Sequence, residues 1–420
     1  MDTPESRRPD IALLLPSLAA GGVGRMTLNL AAGFVARGLR VDLVLCRPEG
    51  PYMDAIPDGV RLVTLQRESG PAARLRLARL YPREIGLLAR PALLAPRPAP
   101  VQPYVADLAR YLAEYRPASL LAAKTRTNLL ALWARHQSGL STRVVLSERT
   151  QLSRAIAASR KWRWRYIAPL VGRFYPEADA VVSVSEGVGD DLAATAGLPR
   201  GSITTIHNPV VTPALAERAA EPSPHPWFSD GGPPVVVAAG RLVAQKNFPL
   251  LLNAFARLRA GRAARLVILG EGPERERLEA QARALGIDAD VALPGQVKNP
   301  YAAFARAALF TLSSDFEGLP TVLIEALACG CPVVSTDCPS GPAEILDRGR
   351  HGPLVPLGDA PALATAMAAV LDDPPPAEAV RARGQSFSQE RSVTRHLDIL
   401  GLRATAGEAA TTANASGGAG

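Results

Sequence analysis

The side chains best suited to chemistry fall in two short stretches. Gly240-Arg241 is followed five residues on by Lys246, in a chain with only three other lysines, Lys124, Lys161 and Lys298. An Arg fork beside an ammonium point charge is the pairing that a diphosphate with two or more negative charges requires; a solvated loop is the plainer alternative. The second stretch is DFEGLPTVLIEALACG, residues 315–330. Glu317 precedes a helical pattern, and Glu325 lies within it, four residues after Thr321 and on the same face. Free amides at a helix start bind phosphate; Pro320 has none, which leaves Leu319 and Thr321 as the donors. Glu325, flanked by Ile324, Ala326 and Leu327, could accept bonds from the vicinal hydroxyls of a nucleotide ribose. A carboxylate buried there needs a partner.

Both stretches follow apolar runs that read as strands, VVVAAG (235–240) and ALFTLSS (308–314). In doubly wound sheets ligands bind beyond the carboxyl ends of the strands, so loops at those ends matter most. RLVILG (265–270), DVALPG (290–295) and CPVVST (331–336) complete this set, spaced by helices that start near Pro249, Pro273, Pro300 and Pro320. Proline in a helix's first turn forfeits no hydrogen bond. The N-terminal half repeats the alternation from IALLL (11–15), through a glycine loop at Gly21 and Gly22, to SITTI (202–206). Alternating strands and helices predict an α/β chain with two Rossmann-like doubly wound domains. The boundaries read from the sequence are an N-terminal domain over 1–211, a Pro-rich linker over 212–234 and a second domain over 235–389. An amphipathic helix at 390–402 and a low-complexity tail at 403–420, expected to be disordered, follow.

Composition narrows the classes. Hydrophobic residues are 47% and charged ones 20% of the 420, which excludes a wholly disordered, collagen-like or coiled-coil chain. The net charge of +8 is concentrated: residues 61–100 hold eight Arg against Glu68 and Glu84, and KWRWRY at 161–166 mixes Trp162 and Trp164 with cations. Indole rings and cations together suit an anionic membrane surface, although inward-packed Trp beside solvated Arg fits equally. No nucleic-acid module accompanies the patch. No apolar stretch reaches the ~18 residues of a membrane span and no signal-peptide core follows the start, so a cytoplasmic location, peripheral on the membrane's inner face at most, is expected. Cys329, Cys331 and Cys338 cluster without a fourth ligand nearby and read as small buried hydrophobes rather than a zinc site.

An ordered series of motifs then stands out. GRLVAQKN at 240–247, VILGEGP at 267–273, LPG at 293–295 and EGLPTVLIEALACGCPVV at 317–334 resemble the donor domain of retaining glycosyltransferases of family 4, which have the GT-B fold. SGPAEIL at 340–346 and G-x-L-V-P-x-G-D at 352–359 continue the likeness, and GGVGR (21–25), SER (147–149), ADAVVSVS (178–185) and NPV (208–210) extend it into the N-terminal half. The resemblance implies two domains facing a central cleft. It implies that Arg241 and Lys246, after Gly240, hold the diphosphate of a nucleotide sugar, UDP-linked first, and Glu325 its ribose. Glu317 would meet the donor sugar, and with Arg241 and Lys246 it forms the implied catalytic set. Gly295 and Val297 would flank the base, Leu319 and Thr321 the phosphates. Gly21 and Gly22 would let the first domain approach phosphate and acceptor, a glycan or a lipid-linked sugar. The implied setting is cell-surface polysaccharide or lipopolysaccharide synthesis, with the 390–402 helix packing back onto the first domain.

One departure matters. Many relatives carry a His near the reacting sugar, where this chain has Lys124-Thr125-Arg126 and Ser147-Glu148-Arg149. Arg126 and Glu148 are therefore secondary candidates for sugar or acceptor contacts, and His207 reads as structural. Asp288-Ala289-Asp290 mimics a metal-binding D-x-D but falls at the amino end of a strand, away from the ligand edge. With Arg241 and Lys246 as the cations, neither a metal nor another cofactor is expected. A sugar-nucleotide epimerase or hydrolase of the same shape, and a binding protein without catalysis, stay open as alternatives.

Overall fold

A computed structural model describes residues 8–19, 21–95, 99–159, 162–223 and 225–402. The tail expected over 403–420, and Lys161 of the basic segment, lie outside the described residues. Strands form where aliphatic and β-branched runs are bounded by Gly, Pro or polar clusters. In the first sheet they are β1 (Ile11–Leu15), β2 (Val41–Leu45), β3 (Val60–Thr64), β4 (Ser119–Ala123), β5 (Arg143–Glu148), β6 (Ala180–Ser183) and β7 (Ile203–Thr205), in the order β3-β2-β1-β4-β5-β6-β7. The second sheet contains β8 (Val235–Ala239), β9 (Arg265–Leu269), β10 (Val291–Gly295), β11 (Leu309–Leu312), β12 (Val333–Thr336) and β13 (Leu354–Val355), in the order β10-β9-β8-β11-β12-β13. All five ladders of the second sheet are parallel, as are β1–β2, β2–β3, β1–β4 and β6–β7 in the first. Strands β1, β2 and β8 are buried along their whole length. A parallel sheet covered on both faces requires such continuous apolar runs.

Each sheet reverses its winding once. Strand β1 lies between β2 and β4, and β8 between β9 and β11. The crevice beyond the carboxyl ends of such a strand pair is where a doubly wound sheet receives ligands. Over the second sheet, the helices Phe248–Gly261 and Ala360–Asp372 pack through Leu251, Phe255, Leu363 and Met367, all fully buried. Asn247 opens the first of these with its side chain accepting from Leu250 N at 3.3 Å, and Pro249 occupies the first turn.

By compactness the chain divides into a unit ending at Leu146, joined by Phe174–Ala180 and the residues from Val393 on, and a unit of Ser147–Arg173 with Val181–Ser392. In the first unit, the end of the helix Gln389–Ile399 is tied to the sheet: Ser119 Oγ donates to Leu400 O at 2.7 Å and Arg143 Nε to Ile399 O at 2.9 Å. The 212–234 stretch contains a helix, Ala214–Ala220. Buried Leu215 anchors it, Arg306 Nη1 donates to Ala219 O at 3.1 Å and Asn299 Nδ2 to Arg218 O at 2.7 Å. Its small alanine face carried no visible period in the sequence. All four cysteines are buried and free, and burial pushes the Cys46, Cys329 and Cys338 thiols up to about 12. Among the described residues no helix is long and apolar enough to cross a membrane.

Candidate active site

The loops following β8 and β11, the pair at which the second sheet reverses, are stitched together. Asp315 N donates to Gln245 O at 2.9 Å and Gln245 Nε2 to Phe316 O at 2.8 Å. Asn247 Nδ2 donates to Asp315 Oδ1 at 2.7 Å, and Ser313 Oγ to Lys246 O at 2.9 Å. These bonds bring Lys246 Nζ to 2.6 Å from Glu317 Oε1, which also accepts from Ser314 Oγ at 2.7 Å. The two side chains are only 16% and 9% exposed, so this is a largely desolvated, hydrogen-bonded pair rather than a surface bridge. A β carbon on Gly240 would stand 3.0 Å from Lys246 Cε, so glycine there lets the lysine stem cross the strand end. Arg241 is exposed and its guanidinium meets no carboxylate among the described residues.

Leu319 and Thr321 lie at the start of the helix Thr321–Ala328, whose residues from Leu323 to Ala328 are buried. Glu325 is fully buried there, and Tyr301 Oη donates to its Oε1 at a long 3.5 Å. Gly295 ends β10 with φ 90°, and a β carbon on it would fall 2.8 Å from Glu271 Oε1. Glu271 pairs with Arg275 at 2.5 Å, and Arg275 also donates to Leu293 O at 2.9 Å, fixing the strand end that leads to Val297. Glu271 and Arg275, four residues apart, pair locally, whereas the bond from Arg275 to Leu293 O depends on β9 and β10 being neighbours; neither residue had been assigned a role from sequence.

Glu148 ends β5 with 1% exposure, and the next residue, Arg149, is buried as well. Arg149 Nη1 donates to Asn208 Oδ1 at 2.5 Å, so the SER and NPV motifs form one contact. Burial lowers the Arg149 pKa to about 10, against the opposing attraction of Glu148. Around the Glu317 loop, Ser185 Oγ donates to Gly318 O at 2.7 Å. A β carbon on Gly318 would fall 2.3 Å from Arg149 O. Glu344 of SGPAEIL accepts from Glu186 N at 2.9 Å and pairs with His207 Nε2 at 2.5 Å. Arg149, Asn208, Ser185 and Glu344 were not singled out from sequence; their motif membership was the one available signal.

In the first unit, Gly21 and Gly22 follow β1 and open the helix Gly22–Val35; Gly21 has φ 129° and open space where a side chain would be. Arg126 follows β4 in the first turn of the helix Thr125–Ser138, beside Lys124, whose φ of 80° is strained for a residue with a side chain. These residues flank the reversal point of the first sheet. Asp288 and Asp290 form a short 3-10 turn immediately before β10, and Arg259 Nε donates to Asp290 Oδ2 at 2.7 Å.

Two parallel doubly wound sheets, one with two cations and two carboxylates on the loops at its reversal point and a buried glutamate in the helix that follows, define the GT-B class of α/β protein. Residues 20–212 match the model of Glycosyltransferase Family 4, and residues 221–387 that of Glycosyl transferases group 1. The chain belongs to this glycosyltransferase family. It is 32% identical over 248 residues to the N-acetylgalactosamine-N,N'-diacetylbacillosaminyl-diphospho-undecaprenol 4-alpha-N-acetylgalactosaminyltransferase of Campylobacter jejuni, covering 59% of this chain and 65% of that protein. It is 27% identical over 260 residues to the lipopolysaccharide 1,6-galactosyltransferase of Escherichia coli K12, covering 61% and 66%. The matches thus span just under two thirds of those two proteins' own length. Anabaena HepE, solved with UDP and glucose, shares the fold with a TM-score of 0.73 at 18% identity, covering 94% of this chain and all of that one.

Proposed function

We propose that the protein is a configuration-retaining glycosyltransferase that moves a hexose from a nucleotide diphosphate, UDP first among the donors, to a glycan or lipid-linked acceptor in cell-surface polysaccharide or lipopolysaccharide synthesis. The observation that carries this reading is the stitched loop pair beyond β8 and β11, which holds the Lys246–Glu317 pair and carries exposed Arg241 on the same loop as Lys246. The names of the C. jejuni and E. coli relatives support the setting, and the UDP complex of HepE supports the donor.

In this reading Arg241 and Lys246 face the diphosphate. The bond from the sugar's anomeric carbon to phosphate oxygen breaks as the acceptor oxygen bonds to that carbon on the same face. The acceptor's proton passes to the departing phosphate, so no side-chain base is required. The demand on the protein is preorganised positive charge where the leaving oxygen becomes anionic. Glu317 orients Lys246 and meets sugar hydroxyls, Glu325 the ribose, and Gly295 and Val297 the base. The cations serve where another fold would use a metal ion, so a metal-free reaction is proposed. A peripheral position on the inner face of the cytoplasmic membrane would suit a lipid-linked acceptor.

A panel of UDP- and GDP-sugars, read as nucleotide release with and without acceptor, tests this. Release that depends on acceptor supports transfer. Release without acceptor dependence would point to an epimerase or hydrolase, and binding without release to a non-catalytic protein.

A further inference from the structure

Among the described residues seven large apolar side chains are exposed; Leu75, Ile85 and Leu94 lie within the excursion between β3 and β4, and Leu62 lies in β3 itself. Leu94 is 78% and Leu75 52% exposed. The helix Gly70–Leu80 turns Ala73 and Leu77 inward and leaves Pro71, Ala72, Leu75 and Arg79 outward, a second apolar-and-cationic stripe on its solvent side. Arg74 Nη2 donates to Ala95 O at 2.5 Å, which holds the turn bearing Leu94 against this helix. Ile85 opens the short helix between them.

The charge on this face is one-sided. Arg61–Ala95 contains seven Arg and two Glu, with no Asp. Arg61 is engaged by Asp42 at 2.5 Å and Arg76 by Glu68 at 3.1 Å, whereas Arg67, Arg79 and Arg83 are exposed in the same excursion. Protruding aliphatic side chains normally cost solubility without return. Interleaved with cations that meet no carboxylate among the described residues, they are the combination that inserts at a headgroup boundary while the cations meet anionic lipid.

The Trp162–Tyr166 turn, by contrast, presents less apolar surface than its composition suggests. Trp162 is 46% exposed, but its ring lies edge-on to Tyr166 at 5.9 Å between centroids, with the Arg163 guanidinium 5.7 Å from its centre. Trp164 is partly buried.

We infer that the β3–β4 excursion, through Leu75, Ile85 and Leu94 with Arg67, Arg79 and Arg83, is the surface that docks on an anionic lipid bilayer. This deepens the proposed use of a lipid-linked acceptor, because it assigns the face that would bring the first unit to the membrane.

The test is flotation of the full chain with vesicles of phosphatidylcholine alone or with one third phosphatidylglycerol. The native chain should float with the anionic vesicles only, and half-molar salt should weaken this. Leu75→Ser with Leu94→Ser, which leaves every charge in place, should lower partition about tenfold or more, and Arg79→Glu with Arg83→Glu should do likewise. Trp162→Ser should change it little. Flotation lost in Trp162→Ser but kept in the leucine variant, equal flotation on neutral vesicles, or none on anionic ones would overturn the inference. UDP binding by calorimetry, measured on the same variants, separates the outcomes. UDP binding intact with no flotation sinks the docking face alone, and flotation without UDP binding sinks the donor reading alone.

Discussion

Arg241 and Lys246 carry the same charge but are held differently, and their variants should part accordingly. The exposed Arg241 meets no carboxylate among the described residues that its loss would strand, so Arg241→Ala should lower turnover about 10²–10³-fold with an unchanged unfolding midpoint. Lys246→Ala leaves Glu317 buried beside Ser314 without its ammonium, and should cost about 3 kcal/mol in denaturant unfolding as well as turnover. Normal turnover in Arg241→Ala would remove the diphosphate assignment. The types of these residues and their place after strands were legible in the sequence. That Lys246 and Glu317, 71 positions apart, form one pair was not, since it depends on β8 and β11 being neighbours in the sheet. The thiols make a second prediction with a definite pH sign. Burial disfavours the thiolates of Cys46, Cys329 and Cys338, whose pKa near 12 compares with about 8.5 for a free thiol. Alkylation of the native chain at pH 8 should therefore be slow, rise only as pH approaches 12, and become complete in denaturant. Rapid labelling of native protein at pH 8 would contradict their burial.

Among the elements, the turns after strands do the positioning, and glycine is what lets them approach. A β carbon on Gly270, after β9, would fall 1.8 Å from Gly240 O, and the clash is with backbone that cannot rotate away. Gly270→Ala should thus displace the loop carrying Arg241, costing about 3 kcal/mol of stability and weakening UDP binding together. Glu344 makes the finer case, because it holds Glu186 N and His207 with separate oxygens. Glu344→Gln keeps an acceptor and a similar shape, whereas Glu344→Ala keeps neither. If this link positions the Glu317 loop through Ser185 and Gly318, the Ala variant should lose kcat with little change in KM for donor, and the Gln variant should recover most of it. Equal loss in both would make charge, not position, the property that matters. The strand–loop–helix order was legible because apolar runs and prolines close to helix starts mark it directly, with Pro249 inside its helix's first turn and Pro273, Pro300 and Pro320 just before theirs. The helix Ala214–Ala220 and the two-residue β13 were not, as one is anchored by a single Leu and the other is too short to show a period.

For the molecule as a whole, the duplicated doubly wound pattern was visible in the sequence, whereas the ends of the compact units were not. The division at Leu146 cuts inside β5 rather than at the Pro-rich stretch, because compactness follows contacts such as Ser185 to Gly318 that no local pattern announces. The sheet edge chosen for the ligand can be tested on the intact chain by mass action. A ligand bound only to the folded state adds about 2.7 kcal/mol at a hundred times its Kd, so UDP should raise the unfolding midpoint in a concentration-dependent way. Glu325→Gln, inside the helix beyond β11, should reduce that rise. Asp290→Asn sits at the opposite end of the sheet, where it loses one partly exposed bridge to Arg259. It should lower the midpoint of the free protein slightly, by the ~1 kcal/mol or less such a bridge is worth, while leaving the UDP-induced rise intact. The two variants differ in where they stand along the strands, not in the charge removed. Equal loss of the rise in both would therefore mean that the nucleotide does not bind beyond the carboxyl ends of β8 and β11.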